Sequence, residues 1–192
     1  MKKLLSAILF AMVAMSFSSC GYNSMVKLDE DTKAKWGTVQ SQYQRRADLI
    51  PNLVATVKGV ANFEKSTLTE VTEARAKATS VQVDASKLTP ETVQKYQQAQ
   101  GELSTALGRL LSVTENYPTL RANDNFTALQ GQLEGTENRI SVARIDFNNS
   151  VQAYNSKLRA FPNNLTAKMF GFAPKGYFEA DAAAKNAPKV EF

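Results

Sequence analysis

Between residues 125 and 161, apolar side chains recur every three or four positions. Phe126, Leu129, Leu133, Ile140, Ala143, Phe147, Val151, Tyr154, Leu158 and Phe161 form one stripe, with Thr136 filling its gap. That spacing puts them on a single face of a long helix. Asn123 or Asp124 can cap its start, and Pro162 marks its end. A second stripe runs through residues 28–78, on Trp36, Val39, Tyr43, Ile50, Leu53, Val57, Val60 and Leu68. Pro51 interrupts it. Proline has no backbone N–H and crowds the preceding turn, so a kink or break is expected there.

Residues 80–89 carry the weakest periodicity and read as a linker. Thr89-Pro90-Glu91 is a helix start, with a capping hydroxyl followed by proline at the first helical position. Val93, Tyr96, Leu103, Leu107, Leu110, Leu111 and Thr114 carry that helix to Tyr117, where Pro118 stops it. No run alternates in the manner of a strand, and no Asn-Gly hairpin signal occurs. The expected class is all-α, an elongated antiparallel up-and-down bundle. It has three long helices, the first kinked or broken near Pro51 to give four.

The two ends follow different rules. Lys2 and Lys3 precede a 12-residue stretch, LLSAILFAMVAM, and then Ser18-Ser19-Cys20. This order of charge, apolar run and small residues is that of a secretory leader. The run is short for a membrane span, which takes about 20 residues. Small residues before the chain's one cysteine resemble a bacterial lipobox, with Phe17 where Leu is usual. The resemblance implies cleavage before Cys20, acylation of that residue, and attachment to a membrane through its lipid. At the other end, residues 170–192 hold Phe170, Phe172, Tyr177, Phe178 and Phe192, together with Pro174, Gly176 and Pro188. So many aromatics do not suit a solvated linker. The segment is expected either to dock on the bundle or to insert into a partner. The domains expected are a leader at 1–19, an acylated terminus and tether at 20–28, a bundle at 29–161, and an aromatic tail at 162–192.

Composition narrows the chemistry. There are 23 Lys and Arg against 18 Asp and Glu, and losing Lys2 and Lys3 with the leader leaves 21 against 18. With no basic stripe, nucleic acid is not an expected partner. The chain has no histidine and one cysteine. It therefore lacks the commonest general base and metal ligand, and it has no thiolate cluster. No cofactor, metal site or catalytic residue is expected. Any enzyme activity would rest on carboxylate, Ser/Thr, Lys or Tyr side chains.

The segment Arg45-Arg46-Ala47-Asp48-Leu49-Ile50-Pro51-Asn52-Leu53-Val54 resembles the LemA family. So do Tyr117-Pro118-Thr119-Leu120, Glu137-Asn138-Arg139-Ile140 followed by Arg144, Phe147-Asn148, Tyr154-Asn155 and Phe161-Pro162. Tyr22-Asn23 and Pro188-Lys189-Val190 extend the likeness over the mature chain. Phe147 stands where the family often has Tyr, and the leader stands where many members have a membrane helix. The resemblance implies a membrane-associated four-helix bundle and no established activity or cofactor.

Arg45, Arg46, Asp48, Asn52, Glu137 and Arg144 are the charged and polar interaction candidates, with Phe170, Phe172, Tyr177, Phe178 and Phe192 as the aromatic ones. Charged groups near a helix break pair with one another or satisfy freed carbonyls. Asp48 or Glu137 is therefore expected to pair with Arg144 across helices. Asn52, Asn148 and Asn155 are expected to hold backbone near the kink, and Gln97, Gln98, Gln100, Gln130 and Gln132 to face solvent. The function expected is a non-catalytic envelope scaffold with an envelope protein partner. A carboxylate hydrolase, and a lipid or peptide carrier, are the alternatives.

Overall fold

The structure, a computed structural model, describes residues 2–59 and 64–180, with side chains from Gly21 onward. The side chain of Cys20, and Val60, Phe192 and the rest of 181–192, lie outside that set. Every regular element among the described residues is a helix. These are α1 (Lys2–Lys58), α2 (Lys65–Ser80), α3 (Pro90–Thr114), α4 (Pro118–Arg121), α5 (Asp124–Arg159) and α6 (Asn163–Phe170).

The first helix is not broken at Pro51. α1 carries that proline in its interior and ends at Lys58, seven residues on. A helical proline at position 51 leaves the carbonyl of residue 47 without its usual donor. Here Arg75 of α2 supplies one, its Nε donating to the Ala47 carbonyl oxygen at 2.8 Å. The apolar stripe meanwhile continues through Ile50, Leu53 and Val57, all buried. Packing and a borrowed donor together keep the helix intact.

The same bond shows that α2 returns antiparallel along α1. The ion pairs Glu70–Arg109 and Lys77–Glu102 run α3 antiparallel to α2. Lys35–Asp146 and Arg46–Glu137 run α5 antiparallel to α1. Four long helices thus alternate up and down, and the first two divide after Lys58 and not at Pro51. One half of the core joins Ile50, Leu53 and Val57 to Val71, Leu103, Leu107, Leu110, Phe126 and Leu133. The other is aromatic, built on Trp36, Tyr43, Tyr96, Phe147 and Phe178.

Both capping expectations hold. Thr89 Oγ1 accepts from the Thr92 backbone N–H at 3.3 Å, and Asn123 Oδ1 from that of Phe126 at 3.2 Å. Two departures concern the edges. Residues 81–89 are non-helical but docked, because Trp36 Nε1 and Gln40 Nε2 both donate to the Val83 carbonyl while Val83 and Leu88 are buried. Phe161 closes the α5 stripe in sequence, yet it is 81% exposed. α5 ends at Arg159, and the chain turns away there into α6.

Candidate functional site

Arg46 lies within the α1 stripe, three residues after Tyr43 and four before Ile50, so the helix delivers its guanidinium into the bundle. It is 1% exposed. Its Nη1 donates to Ser104 Oγ at 2.6 Å and to Glu137 Oε1 at 2.8 Å. Its Nη2 donates to the Gln100 carbonyl at 3.0 Å and to Gln100 Oε1 at 2.8 Å. The cation also sits 5.0 Å from the centre of the Tyr43 ring. Gln100 in turn donates through Nε2 to the Ala78 carbonyl in the last turns of α2. One buried cation therefore ties all four long helices together. Beside it lies a groove of about 520 Å³ whose walls include Gln97, Glu137 and Arg144.

The expected pairing of Asp48 or Glu137 with Arg144 does not form. Glu137 is taken by Arg46, and Asp48 Oδ1 accepts from Gln44 Nε2 on its own helix at 2.7 Å. Arg144 lies two turns along α5 from Glu137. There it donates to the Glu179 carbonyl at 2.8 Å and lies 5.1 Å from the Phe178 ring centre. Arg45 and Asn52 are exposed. The carbonyl that Pro51 frees takes its side-chain donor from Arg75, not from Asn52.

Asn148 and Asn155 do hold backbone, but that of the tail. Asn155 Oδ1 accepts from the Lys175 N–H and its Nδ2 donates to the Lys175 carbonyl, both at 2.9 Å. Asn148 brackets Phe178 in the same way, with two bonds of 2.9 Å. Gln97 of α3 does so for Glu179, again at 2.9 Å. Three primary amides thus act as a discontinuous strand partner for an extended segment. Gly176 fits because an added Cβ would lie 2.6 Å from Pro90 Cα. Phe178 is buried and stacks on Trp36 with centroids 5.8 Å apart. Tyr154 donates its hydroxyl to the Ala173 carbonyl at 3.1 Å. Residues 173–179 are therefore docked on this chain's own bundle.

The aromatic candidates divide accordingly. Phe178 is core and Tyr177 is 42% exposed. Phe170 and Phe172 meet Tyr22 at centroid distances of 4.8 and 5.8 Å. Gln97 and Gln100 were expected to face solvent; instead half-buried Gln97 holds the tail and buried Gln100 holds Arg46 and Ala78, while Asp29, Arg75 and Lys175 were not singled out at all. For Gln100 there was a signal, since it fills the stripe between Tyr96 and Leu103 as Thr136 does on α5.

Lys175 is buried and paired with Asp29 at 2.9 Å, its ammonium 5.1 Å from the Tyr154 ring centre. Burial alone would raise the Asp29 carboxyl, but hydrogen bonds and charge from Lys175 and Lys33 outweigh it and hold the pKa below the ordinary value. Lys33, hydrogen-bonded to Asp29 and Glu30, is pushed up. Burial pushes the Tyr154 phenol up to about 12 and raises Tyr96 as well.

Carboxylates gather in one other place. Glu70, Glu73 and Glu102 line a shallow groove of about 400 Å³ between α2 and α3. Glu70 is bonded there to Arg109 and Glu102 to Lys77, so both are held as exposed ion pairs. Among the described residues no three His, Cys, Asp or Glu side chains are grouped to hold a metal ion. None of the described helices is long and apolar enough to cross a membrane.

These features define an all-helical bundle closed by its own C-terminal segment. The chain belongs to the LemA family, whose model matches residues 35–192. Two relatives named magnetosome protein MamQ, MamQ 1 and MamQ 2 of Paramagnetospirillum magneticum, are each 30% identical over 183 residues. The match takes in 84% of this chain and 66% of either relative, so the chain spans just under two thirds of their length. Protein LemA of Metamycoplasma hominis is 22% identical over 158 residues, covering 82% of this chain and 68% of that protein.

Proposed function

We propose that this LemA-type chain is a non-catalytic interaction protein of the cell envelope, held outside the cytoplasm by acyl chains on Cys20. The observation that carries the reading is the Arg46 cluster. Arg46 and Glu137 are consumed in joining helices and Arg144 in holding the tail, and the groove beside them is lined by a single carboxylate, that of Glu137 itself. Carboxylate hydrolysis needs an acid and a base with separated proton affinities around one bond. Glu137 is committed to Arg46, and Glu70 and Glu102 are committed to their own cations. The relatives named above take their names from a cellular structure, the magnetosome, or from the family, and not from a reaction. Two acyl chains suffice for stable attachment, since each buried CH₂ contributes about 0.8 kcal/mol.

The test has two arms. Cells expressing the wild-type chain and Cys20→Ala are fed an alkyne fatty acid, and their membranes are fractionated. Labelling and membrane retention are expected for the wild type only; label that persists in Cys20→Ala overturns the tether. Purified protein is then assayed on envelope polymers. Turnover that disappears in Glu70→Gln or Glu102→Gln overturns the non-catalytic reading.

A further inference from the structure

Eight large apolar side chains are exposed among the described residues, and five of them lie at one end of the molecule. They are Tyr22 at 37%, Phe161 at 81%, Leu165 at 60%, Met169 at 71% and Phe170 at 55%. Leu165 and Met169 are spaced by four, which aligns them along one side of α6, and Phe161 lies exposed in the turn before it. Ala167, on the opposite side, is 2% exposed and faces the bundle. α6 is thus amphipathic in the reverse sense of a core helix, with its larger apolar groups outward.

The position of that face is set by α1. Asn163, the first residue of α6, abuts Gly21, whose added Cβ would meet Asn163 Oδ1 at 2.6 Å. Phe170, its last residue, packs on Tyr22. Both ends of α6 therefore touch the two residues that follow Cys20. An eight-residue helix is about 12 Å long, so the whole exposed face lies close to the attachment point. Arg159 and Lys168 are exposed beside it and Lys157 is half-buried. Apolar side chains rimmed by cations and flanked by tyrosine are the pattern of an element lying in a bilayer interface, with its apolar groups about 5–10 Å deep.

We propose that Phe161, Leu165, Met169 and Phe170 insert into the membrane surface, with Arg159 and Lys168 at the anionic headgroups, so that the bundle stands on the bilayer on its α6 end. The proposal rests on the tethered orientation given above. An acylated Cys20 and an uncleaved apolar leader would both impose it, because either attachment point directly precedes Gly21 and Tyr22 on α1. A stem fixed at Cys20 alone would leave the bundle free to tumble. A second attachment through α6 sets its orientation toward envelope partners.

The test uses the full chain in vesicles of phosphatidylethanolamine and phosphatidylglycerol. An environment-sensitive fluorescent amino acid is encoded in place of Met169 or, at the far end of the bundle, of Ser112. Spin-labelled lipid is expected to quench the probe at position 169 several-fold more than at 112. Quenching should weaken when phosphatidylglycerol is omitted or when Arg159→Gln and Lys168→Gln are combined. Equal quenching at the two positions overturns the proposal, whether or not the chain sediments with the vesicles. A blue shift at 169 that follows protein concentration and ignores the spin label also overturns it, in favour of a second copy. Fatty-acid labelling of Cys20 is read on the same preparation, so a failed tether is distinguished from a failed α6 contact.

Discussion

Arg75 reaches from α2 to donate its Nε–H to the Ala47 carbonyl, the acceptor that Pro51 leaves open. A helix that proline would interrupt is completed by the helix packed against it. Removing the side chain leaves a carbonyl in a helix interface without a donor, which costs about 1–2 kcal/mol. Arg75→Ala is expected to lose that much in urea unfolding. In a Pro51→Ala background the helix regains its own donor, and the cost of Arg75→Ala should fall by more than half. A double-mutant cycle with no coupling between the two positions would show that the bond does not serve the proline.

Arg46 and Glu137 share one ion pair but not one environment, being 1% and 45% exposed at their side chains. Arg46→Ala strips donors from Gln100 and Ser104 at once and is expected to cost about 3 kcal/mol. Glu137→Gln keeps an acceptor at a half-exposed site and should cost less than about 1 kcal/mol. Arg46→Lys should recover little, because an ammonium cannot span the forked set of acceptors. Thermal unfolding of the three variants reads the order directly.

The tail should report through Trp36, the chain's single tryptophan. Phe178→Ala opens a cavity against it and is expected to cost about 3 kcal/mol and red-shift its emission. Asn155→Ala leaves both backbone groups of Lys175 without their amide partner, costing about 2 kcal/mol. Hydrogen exchange at Lys175 and Phe178 should accelerate in that variant while exchange in α3 stays slow. Uniform acceleration would mean that the tail and bundle unfold as one unit.

Asp29 makes tail docking sensitive to acid. Its folded pKa is depressed by Lys175 and Lys33 against the opposing effect of burial. The stability it contributes is therefore fully present above the ordinary carboxylate value near 3.9. It is lost as pH falls through the lower folded value. Exchange at Lys175 should quicken in that acid window in the wild type, and Asp29→Asn should already show the quickened rate at neutral pH. A variant that matches the wild type at every pH would remove Asp29 from the clasp.

The bundle was legible in the sequence because burial on one helical face leaves a period that survives without any knowledge of partners. The stripes from Trp36 through Val57, Val93 through Leu110 and Phe126 through Tyr154 are buried as their spacing requires, Leu129 only in part. The caps at Thr89 and Asn123 were legible for the same reason, since they depend on atoms three residues away. The break was misplaced because a proline's effect depends on who satisfies the carbonyl it orphans, and Arg75 is distant in sequence. Arg46 was visible as a candidate and its partner was not. Glu137 and Arg144 share a face of α5, and only the placement of α1 brings Arg46 to Glu137 and leaves Arg144 to the tail.

By itself the sequence determined an all-helical chain, its helical faces and its likeness to the LemA family, all of which follow from local periodicity and ordered motifs. The tertiary structure alone decided that Asn148, Asn155 and Gln97 clasp residues 173–179, and that α6 turns its apolar face outward beside Gly21. The physical reason is one of range. A period is written within one helix, whereas hydrogen-bond partners and exposed faces are settled by which helices come to lie side by side.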